Sequence, residues 1–101
     1  MVDVQGNTII INSERASADD KIDFATAISR LEAEGNHEIR LDLSNTVYLP
    51  SELMGLLMWK KRELGERGTK IIISAISDPL RNTFDNAMIS SFLELNTPQQ
   101  G

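Results

Sequence analysis

The chain is 101 residues long and 41% hydrophobic, and its 15 acidic against 10 basic residues give a net charge of -5. This length predicts a single domain over residues 1–101 with one modest core. The absence of cysteine excludes disulfides, zinc ribbons and thiol catalysis. The negative charge repels phosphate backbones and anionic lipid headgroups, so nucleic acid and membrane surfaces are disfavoured as partners.

The first predicted elements are a short strand and an amphipathic helix. The β-branched run at residues 7–12 predicts the strand, and it is too short for a signal peptide or a membrane span, so we expect a cytoplasmic protein. Ser17 followed by Asp20 resembles a capping box. This pattern predicts a helix that starts there and ends at Gly35 and Asn36. The apolar face of this helix is predicted to comprise Phe24, Ala27, Ile28 and Leu31.

Three further elements are predicted in the second half of the chain. Alternating apolar and polar residues at 38–43 predict a strand, and residues 51–67 predict a long helix that ends at Gly68. Residues 69–76 have the composition of a central strand that is buried on both faces. Ser77, two residues before a proline, predicts the start of a short helix that runs to about residue 85.

The C-terminal residues complete the predicted fold. Two apolar runs within residues 88–95 predict an edge strand, and residues 96–101 predict a flexible tail. The order β-α-β-α-β-α-β, with connections too long for hairpins, predicts an α/β fold with a mixed or parallel four-stranded sheet and helices packed on it. Ligands and partners gather beyond the carboxyl ends of the strands in such sheets, where we expect the loop 44–50.

The stretch "LDLSNTVYLPSELMGLL" resembles part of the STAS domain, the fold of bacterial anti-sigma-factor antagonists. The resemblance covers about residues 38–95, and its landmarks are the "LDLS" strand end, the "YL" pair, a serine that opens a helix, and the "RG" and "AIS" segments. It implies a small STAS-like fold and a bacterial signal-transduction module that acts by partner switching, without catalytic activity. The implied partner is a regulatory serine kinase or anti-sigma-like protein, with a phosphatase as a further candidate.

The turn before the long helix carries the regulatory part of this resemblance. The family's usual pattern is Asp-Ser-Ser-Gly-Leu-Gly, and the kinase phosphorylates the first serine. Here Ser51 stands at the phosphorylated position and Gly55 at the last glycine. Pro50 replaces the aspartate, Glu52 the second serine and Leu53 the first glycine. The resemblance implies phosphorylation of Ser51, whereas these departures favour an alternative: a non-phosphorylated STAS scaffold subunit of a transporter or signalling complex.

Two roles for Ser51 follow from its position. It is predicted to be the helix N-cap, because the residue before Pro50 is held extended and a serine hydroxyl satisfies a free N–H, which contributes about 1 kcal/mol. A phosphate on Ser51 would lie against the helix N-terminus and repel a partner docked there. Glu52 and Pro50 oppose easy use of such a switch, because Glu52 repels the phosphate and Pro50 stiffens the loop. Glu52 is also a candidate permanent mimic of the modified state.

The long helix is predicted to present a second face to a partner. Met58 and Trp59 lie outside its apolar stripe and Met54 lies at its edge, and we expect all three to be exposed for docking unless neighbouring loops, the first helix or a self-dimer cover them. Gly55 allows either close approach of a partner's backbone or internal packing. The apolar stripe consists of Leu53, Leu56, Leu57 and Leu64. The predicted partner-binding residues are Ser44, Asn45, Pro50, Glu52, Met54, Gly55, Met58 and Trp59.

Enzymatic or metal chemistry finds little support in the sequence. His37 is the only histidine, and no cysteine or spaced carboxylate cluster accompanies it, so no metal and no cofactor are predicted. Asp42 and Ser44 lack a base histidine, and no phosphate-binding glycine loop is present. A small enzyme or ligand-binding protein at the strand ends is therefore the least favoured of the three hypotheses.

Overall fold

The computed structural model describes residues 1–86, which form one four-stranded sheet and three helices. The strands lie in the order β1-β2-β3-β4, with β1 antiparallel to β2 and the other pairs parallel. The predicted α/β class and mixed four-stranded sheet are confirmed. The elements are β1 (Val2–Gln5), β2 (Thr8–Ile11), α1 (Ala18–Ala33), β3 (Glu38–Leu43), α2 (Ser51–Gly65), β4 (Lys70–Ile76) and α3 (Asp78–Asn86). The strand expected at 88–95 and the tail expected at 96–101 lie outside the described residues.

The first strand is a correction to the sequence analysis, which assigned no strand before residue 7 and expected no hairpin. Strands β1 and β2 form a hairpin in which Gln5 pairs with Thr8 across a two-residue turn. Gly6 opens this turn with a φ of +61°, a conformation that glycine adopts without steric cost. The Asn7 side chain donates to the Glu38 carbonyl at 2.9 Å and thereby joins the turn to β3.

The two later strands follow the predicted ranges closely. In β3 the residues Ile39, Leu41 and Leu43 are buried, and the residues between them are half-buried, as the alternation predicts. In β4 three consecutive isoleucines, residues 71–73, are buried. Within residues 1–86, β3 lies between β2 and β4, and β4 lies at the end of the sheet. Because the strand expected at 88–95 lies outside the described residues, the central position of β4 stays a prediction.

The hydrophobic core lies between the sheet and the helices. Helices α1 and α2 contact each other, while α1 packs on β1, β2 and β3 and α2 packs on β4. Burial of each large apolar side chain stabilises the fold by roughly 1.5 to 3 kcal/mol. The largest fully buried side chains are Phe24, Phe84, Ile9, Ile11, Ile28, Leu31, Ile39, Leu41, Leu43, Leu53, Leu57 and Leu64.

The helix ends agree with the sequence to within a few residues. Helix α2 ends at Gly65, two residues before the predicted end, and Gly68 has a φ of +82° in the turn that follows. Helix α3 starts after Ser77, whose hydroxyl oxygen accepts from the Leu80 N–H at 3.3 Å. The predicted cap at Ser77 is therefore confirmed, and α3 runs to Asn86.

Helix α1 begins with the predicted capping box. The Asp20 N–H donates to Ser17 Oγ at 3.4 Å, and the Ser17 N–H donates to Asp20 Oδ2 at 2.9 Å. The side chain of Asp20 is buried, and its Oδ1 accepts from the Met1 amino group at 2.7 Å. Burial raises the pKa of Asp20, but the hydrogen bonds from Met1 and Ser17 outweigh it, so the pKa lies below its ordinary value.

Replacement of Asp20 by asparagine is expected to lower the free energy of unfolding by about 1 to 3 kcal/mol at neutral pH. Because folding lowers the pKa of Asp20, the carboxylate's contribution is complete above its unfolded pKa near about 4. The contribution is lost as the pH falls through the folded pKa. Urea unfolding of wild type and Asp20→Asn at pH 7 and at low pH tests this, with exposed Asp19→Asn as the control. A stability difference that does not change with pH would contradict it.

Candidate functional site

The site is built where the carboxyl ends of the parallel strands meet. Strands β2, β3 and β4 run in the same direction, and each is followed by a loop that leads into a helix. The starts of α1, α2 and α3 therefore lie along one edge of the sheet. This is the edge at which α/β proteins of this type bind ligands and partners.

Two loops at this edge hold each other in place. The Val47 N–H donates to the Glu14 carbonyl at 2.8 Å, and the Ala16 N–H donates to the Tyr48 carbonyl at 3.0 Å. The Arg15 guanidinium lies 4.6 Å from the centroid of the Tyr48 ring, within range of a cation–π interaction. The loop that leads into α2 is thus fixed to the loop that leads into α1.

A buried threonine anchors the same loop to the sheet. Thr46 is fully buried, and its hydroxyl donates to the Ile11 carbonyl at the end of β2 at 3.0 Å. The Thr46 carbonyl accepts from the Ser77 hydroxyl, which follows β4, at 2.5 Å. Because both neighbouring strands hold this loop, the entrance to α2 has a defined position relative to the sheet.

Ser51 lies one position further into the helix than the sequence predicted. Pro50 is the N-cap, with φ -65° and ψ 153°, and its carbonyl accepts from the Leu53 N–H at 2.9 Å and from the Met54 N–H at 3.1 Å. The prediction that Ser51 is the N-cap is therefore wrong. Proline takes that place because its fixed φ suits the extended cap residue. Ser51 is the first helical residue and is exposed, and its hydroxyl makes no hydrogen bond to the rest of residues 1–86.

The charges beside Ser51 come from two helices. Glu52 is exposed in the first turn of α2, where a negative charge is favourable to the helix. Its Oε2 lies 3.7 Å from Nζ of Lys21 on α1, and the exposure of both side chains limits the pair to less than about 1 kcal/mol. The mouth of α2 therefore carries one carboxylate that is partly balanced by a lysine.

A second ion pair joins the last turn of α1 to the turn that follows α2. The Arg67 guanidinium donates two hydrogen bonds to the Glu32 carboxylate, at 2.7 and 2.8 Å. These hydrogen bonds lower the pKa of Glu32 below its ordinary value. Helices α1 and α2 are thus connected by side chains at both ends.

The outward side of α2 forms a continuous surface, which we call the α2 face and define as Ser51, Gly55, Met58, Trp59 and Arg62. Residues at spacings of four, seven, eight and eleven from the first share one side of a helix. Trp59 is 58% exposed. An open, shallow depression on this face is lined by Gly55, Met58, Trp59 and Arg62.

The two methionines are less exposed than the sequence predicted. Met54 and Met58 are half-buried and pack against the core. The expectation that both are exposed is wrong, because neighbouring side chains cover part of each. Trp59 is exposed as expected.

Close packing inside the protein does not require a glycine at position 55. Among residues 1–86, a Cβ atom added to the exposed Gly55 would meet no atom within 4 Å. The internal-packing alternative is therefore wrong, and Gly55 leaves a flat, open position between Ser51 and Trp59.

The loop residues Ser44 and Asn45 are exposed, but both form hydrogen bonds with other residues at this edge of the sheet. Ser44 donates from its N–H and its hydroxyl to Asp42 Oδ1, at 2.9 and 2.6 Å. The Asn45 side chain donates to Asn12 Oδ1 at 2.7 Å. In turn, the Asn12 side chain donates to the Asp3 carboxylate. These two predicted partner-binding residues therefore support the loop structure.

Sequence reasoning missed three residues of this site. Arg15, Lys21 and Tyr48 reach it through contacts between distant parts of the chain. Tyr48 had a signal, since it is the only tyrosine and lies in the loop before α2. The two basic residues carried no local pattern that marks them.

Searches for related proteins and for other kinds of site gave negative results. No protein-family model matches the chain, and no curated protein matches it significantly. Within residues 1–86, no three His, Cys, Asp or Glu side chains are grouped to hold a metal ion. No helix in this range has the length and apolar character needed to cross a membrane. The fold and the mouth of α2 are therefore the features of this chain that bear on its function.

Proposed function

We propose that this chain is a cytoplasmic STAS-type interaction module that binds a protein partner through the α2 face and loses that binding when Ser51 is phosphorylated. The observation that carries the proposal is the position of Ser51. Its hydroxyl is exposed and unbonded to residues 1–86, and it begins a helix whose outward face leads to the exposed Trp59.

The arrangement favours a switch on binding over a switch on folding. Because the Ser51 side chain is exposed and Pro50 already caps the helix, a phosphate adds charge without displacing a structural hydrogen bond. The phosphate would lie one helical turn from Gly55 and about 12 Å along the axis from Trp59. A partner that covers this face would meet about two added negative charges at its edge.

The proposed partner is a regulatory serine kinase or anti-sigma-like protein, and a phosphatase would restore the unmodified state. Trp59 has the character of a central binding residue, because tryptophan is enriched among the residues that dominate interface energy. Gly55 offers an open position for backbone approach. No catalytic step is assigned to this chain.

A second candidate function is a scaffold that is never phosphorylated. The observation that favours it is the contact between Lys21 and Glu52, at 3.7 Å, which places a permanent carboxylate at the mouth of α2. In this alternative the partner binds the α2 face constitutively, in a transporter or signalling complex, and Ser51 is not modified.

A pull-down from native lysate tests the proposal, with wild type, Ser51→Asp and Ser51→Ala as baits at equal loading. Mass spectrometry of the captured proteins is expected to find a kinase-like or anti-sigma-like protein with wild type and Ser51→Ala, and to lose it with Ser51→Asp. Ser29→Asp is the matched control, since it adds the same charge at an exposed position of α1. Equal capture by Ser51→Asp and wild type would contradict the switch and favour the scaffold.

A further inference from the structure

Backbone N–H and C=O groups on the outer edge of β1 have no hydrogen-bond partner within residues 1–86. Asn12 donates its N–H to the Met1 carbonyl at 2.7 Å, which identifies these two as a hydrogen-bonded pair of the antiparallel ladder. Such pairs alternate along a ladder, so the N–H and C=O groups of Val2 and Val4 point away from β2. The described end of the sheet therefore offers donors and acceptors to another strand.

A groove runs beside this edge, between β1 and α1. Its floor is apolar, and two opposite charges, Asp23 and Arg30, lie at its rim. The Val2 and Val4 side chains pack against the core from the edge. Arg30 Nε lies 3.8 Å from Glu34 Oε2, and both side chains are more than half exposed. The groove is lined by Val2, Val4, Asp23, Thr26, Ala27 and Arg30.

We propose that a second copy of this chain binds here, with the two β1 strands antiparallel and Val4 opposite the partner's Val4. This register places Asp3 opposite the partner's Gln5, and Val2 opposite Gly6 in the partner's turn. A register centred on Asp3 would place two carboxylates directly opposite each other, which is destabilising. The side chains thus favour the register centred on Val4 over the one centred on Asp3.

In this register a two-fold axis through the two Val4 residues relates the two copies. The same axis aligns the charges on α1. The Met1 amino group contacts Asp20 at 2.7 Å, so β1 and α1 start at the same height along the strand direction. They run in the same direction, because both are antiparallel to β2. From Met1 to Val4 a strand rises about 10 Å, which equals about seven residues of helix. The axis therefore passes α1 near residue 27, midway between Asp23 and Arg30.

This symmetry brings each Asp23 to the level of the partner's Arg30. Because α1 packs over β2 and touches β1 and β3 on either side, the two α1 axes would lie about three strand spacings apart, roughly 14 Å. This distance is too long for close helix packing, but an arginine and an aspartate can bridge it above the four valines. The charges and the strand register point independently to the same axis.

The interface is small, and we expect a reversible dimer that forms as the protein concentration rises. Sedimentation equilibrium of the full chain at low ionic strength measures this dimerisation. We expect the average mass to rise from 11.3 kDa toward twice that value as the concentration increases. Asp23→Arg and Arg30→Asp are each expected to raise the dissociation constant about tenfold or more. The double variant, which exchanges the charges, is expected to recover the dimer. Glu66→Arg, at an exposed position of α2's C-cap, is the control.

The proposal is overturned if wild type remains monomeric at every concentration. That result would mean that the β1 edge is covered by residues 87–101 of the same chain or by no protein segment. It is also overturned if the single charge reversals leave the dimer unchanged or if the double variant fails to restore it. Far-UV circular dichroism confirms that each variant is folded. These outcomes do not depend on Ser51, so they are independent of the proposed phosphorylation switch.

Discussion

Replacement of Trp59 by alanine is expected to weaken partner binding by about thirtyfold or more, which corresponds to about 2 kcal/mol. The indole is 58% exposed in the free protein and lies on the α2 face beside Gly55 and Met58. A partner that covers this face would bury the ring, and the truncation removes that buried area. The measurement is a titration of the purified variant against the protein captured by wild type.

The stability of the Trp59→Ala variant separates a binding defect from a folding defect. Because the side chain is exposed, the free energy of unfolding is expected to change by less than about 1 kcal/mol. Ile22→Ala is the matched control, since Ile22 is an apolar residue, 63% exposed, on α1. Its partner affinity is expected to equal that of wild type. Unchanged affinity of Trp59→Ala would exclude the α2 face as the docking surface.

The largest effect on stability is expected for Phe24→Ala, which should lower the free energy of unfolding by about 3 to 5 kcal/mol. Phe24 is fully buried on the inner side of α1, in the cluster that joins the helix to the sheet. Removal of the ring loses its burial and leaves a cavity. Since single domains are stable by only about 5 to 15 kcal/mol, much of the variant could unfold.

Urea unfolding monitored by circular dichroism measures this loss. The Ile22→Ala variant again serves as the control, because it truncates an apolar side chain on the same helix at an exposed position. Its stability is expected to lie within about 0.5 kcal/mol of wild type. A loss of less than about 1 kcal/mol for Phe24→Ala would mean that α1 does not pack on the sheet as described.

Local sequence patterns predicted the helices and strands well where the signal was strong. The alternation in residues 38–43 predicts β3 with its observed bounds, and the pair Ser17 and Asp20 predicts the capping box of α1. Strand β1 was missed because it contains only Val2 and Val4 as apolar residues. The two-residue Gly-Asn turn that follows was the available signal for a hairpin.

The site was less predictable, because much of it depends on contacts between distant residues. The helix periodicity predicted that Trp59 is exposed, but it did not show that Met54 and Met58 pack against the core. The one-residue difference between Pro50 and Ser51 as the N-cap is of the size that local signals rarely resolve. The contact between Arg15 and Tyr48 has no local signature.

The measurement that tests the central claim most directly is a binding titration with phosphoserine placed at position 51 during translation. The titrant is the partner captured by wild type, and the compared proteins are the unmodified chain, the chain with phosphoserine at 51 and a chain with phosphoserine at 29. Ser29 is exposed on α1, about 18 Å along the helix from its N-cap. We expect the affinity to be at least about tenfold weaker for the chain with phosphoserine at 51, and unchanged for the chain with phosphoserine at 29. Equal affinity for all three proteins would contradict it.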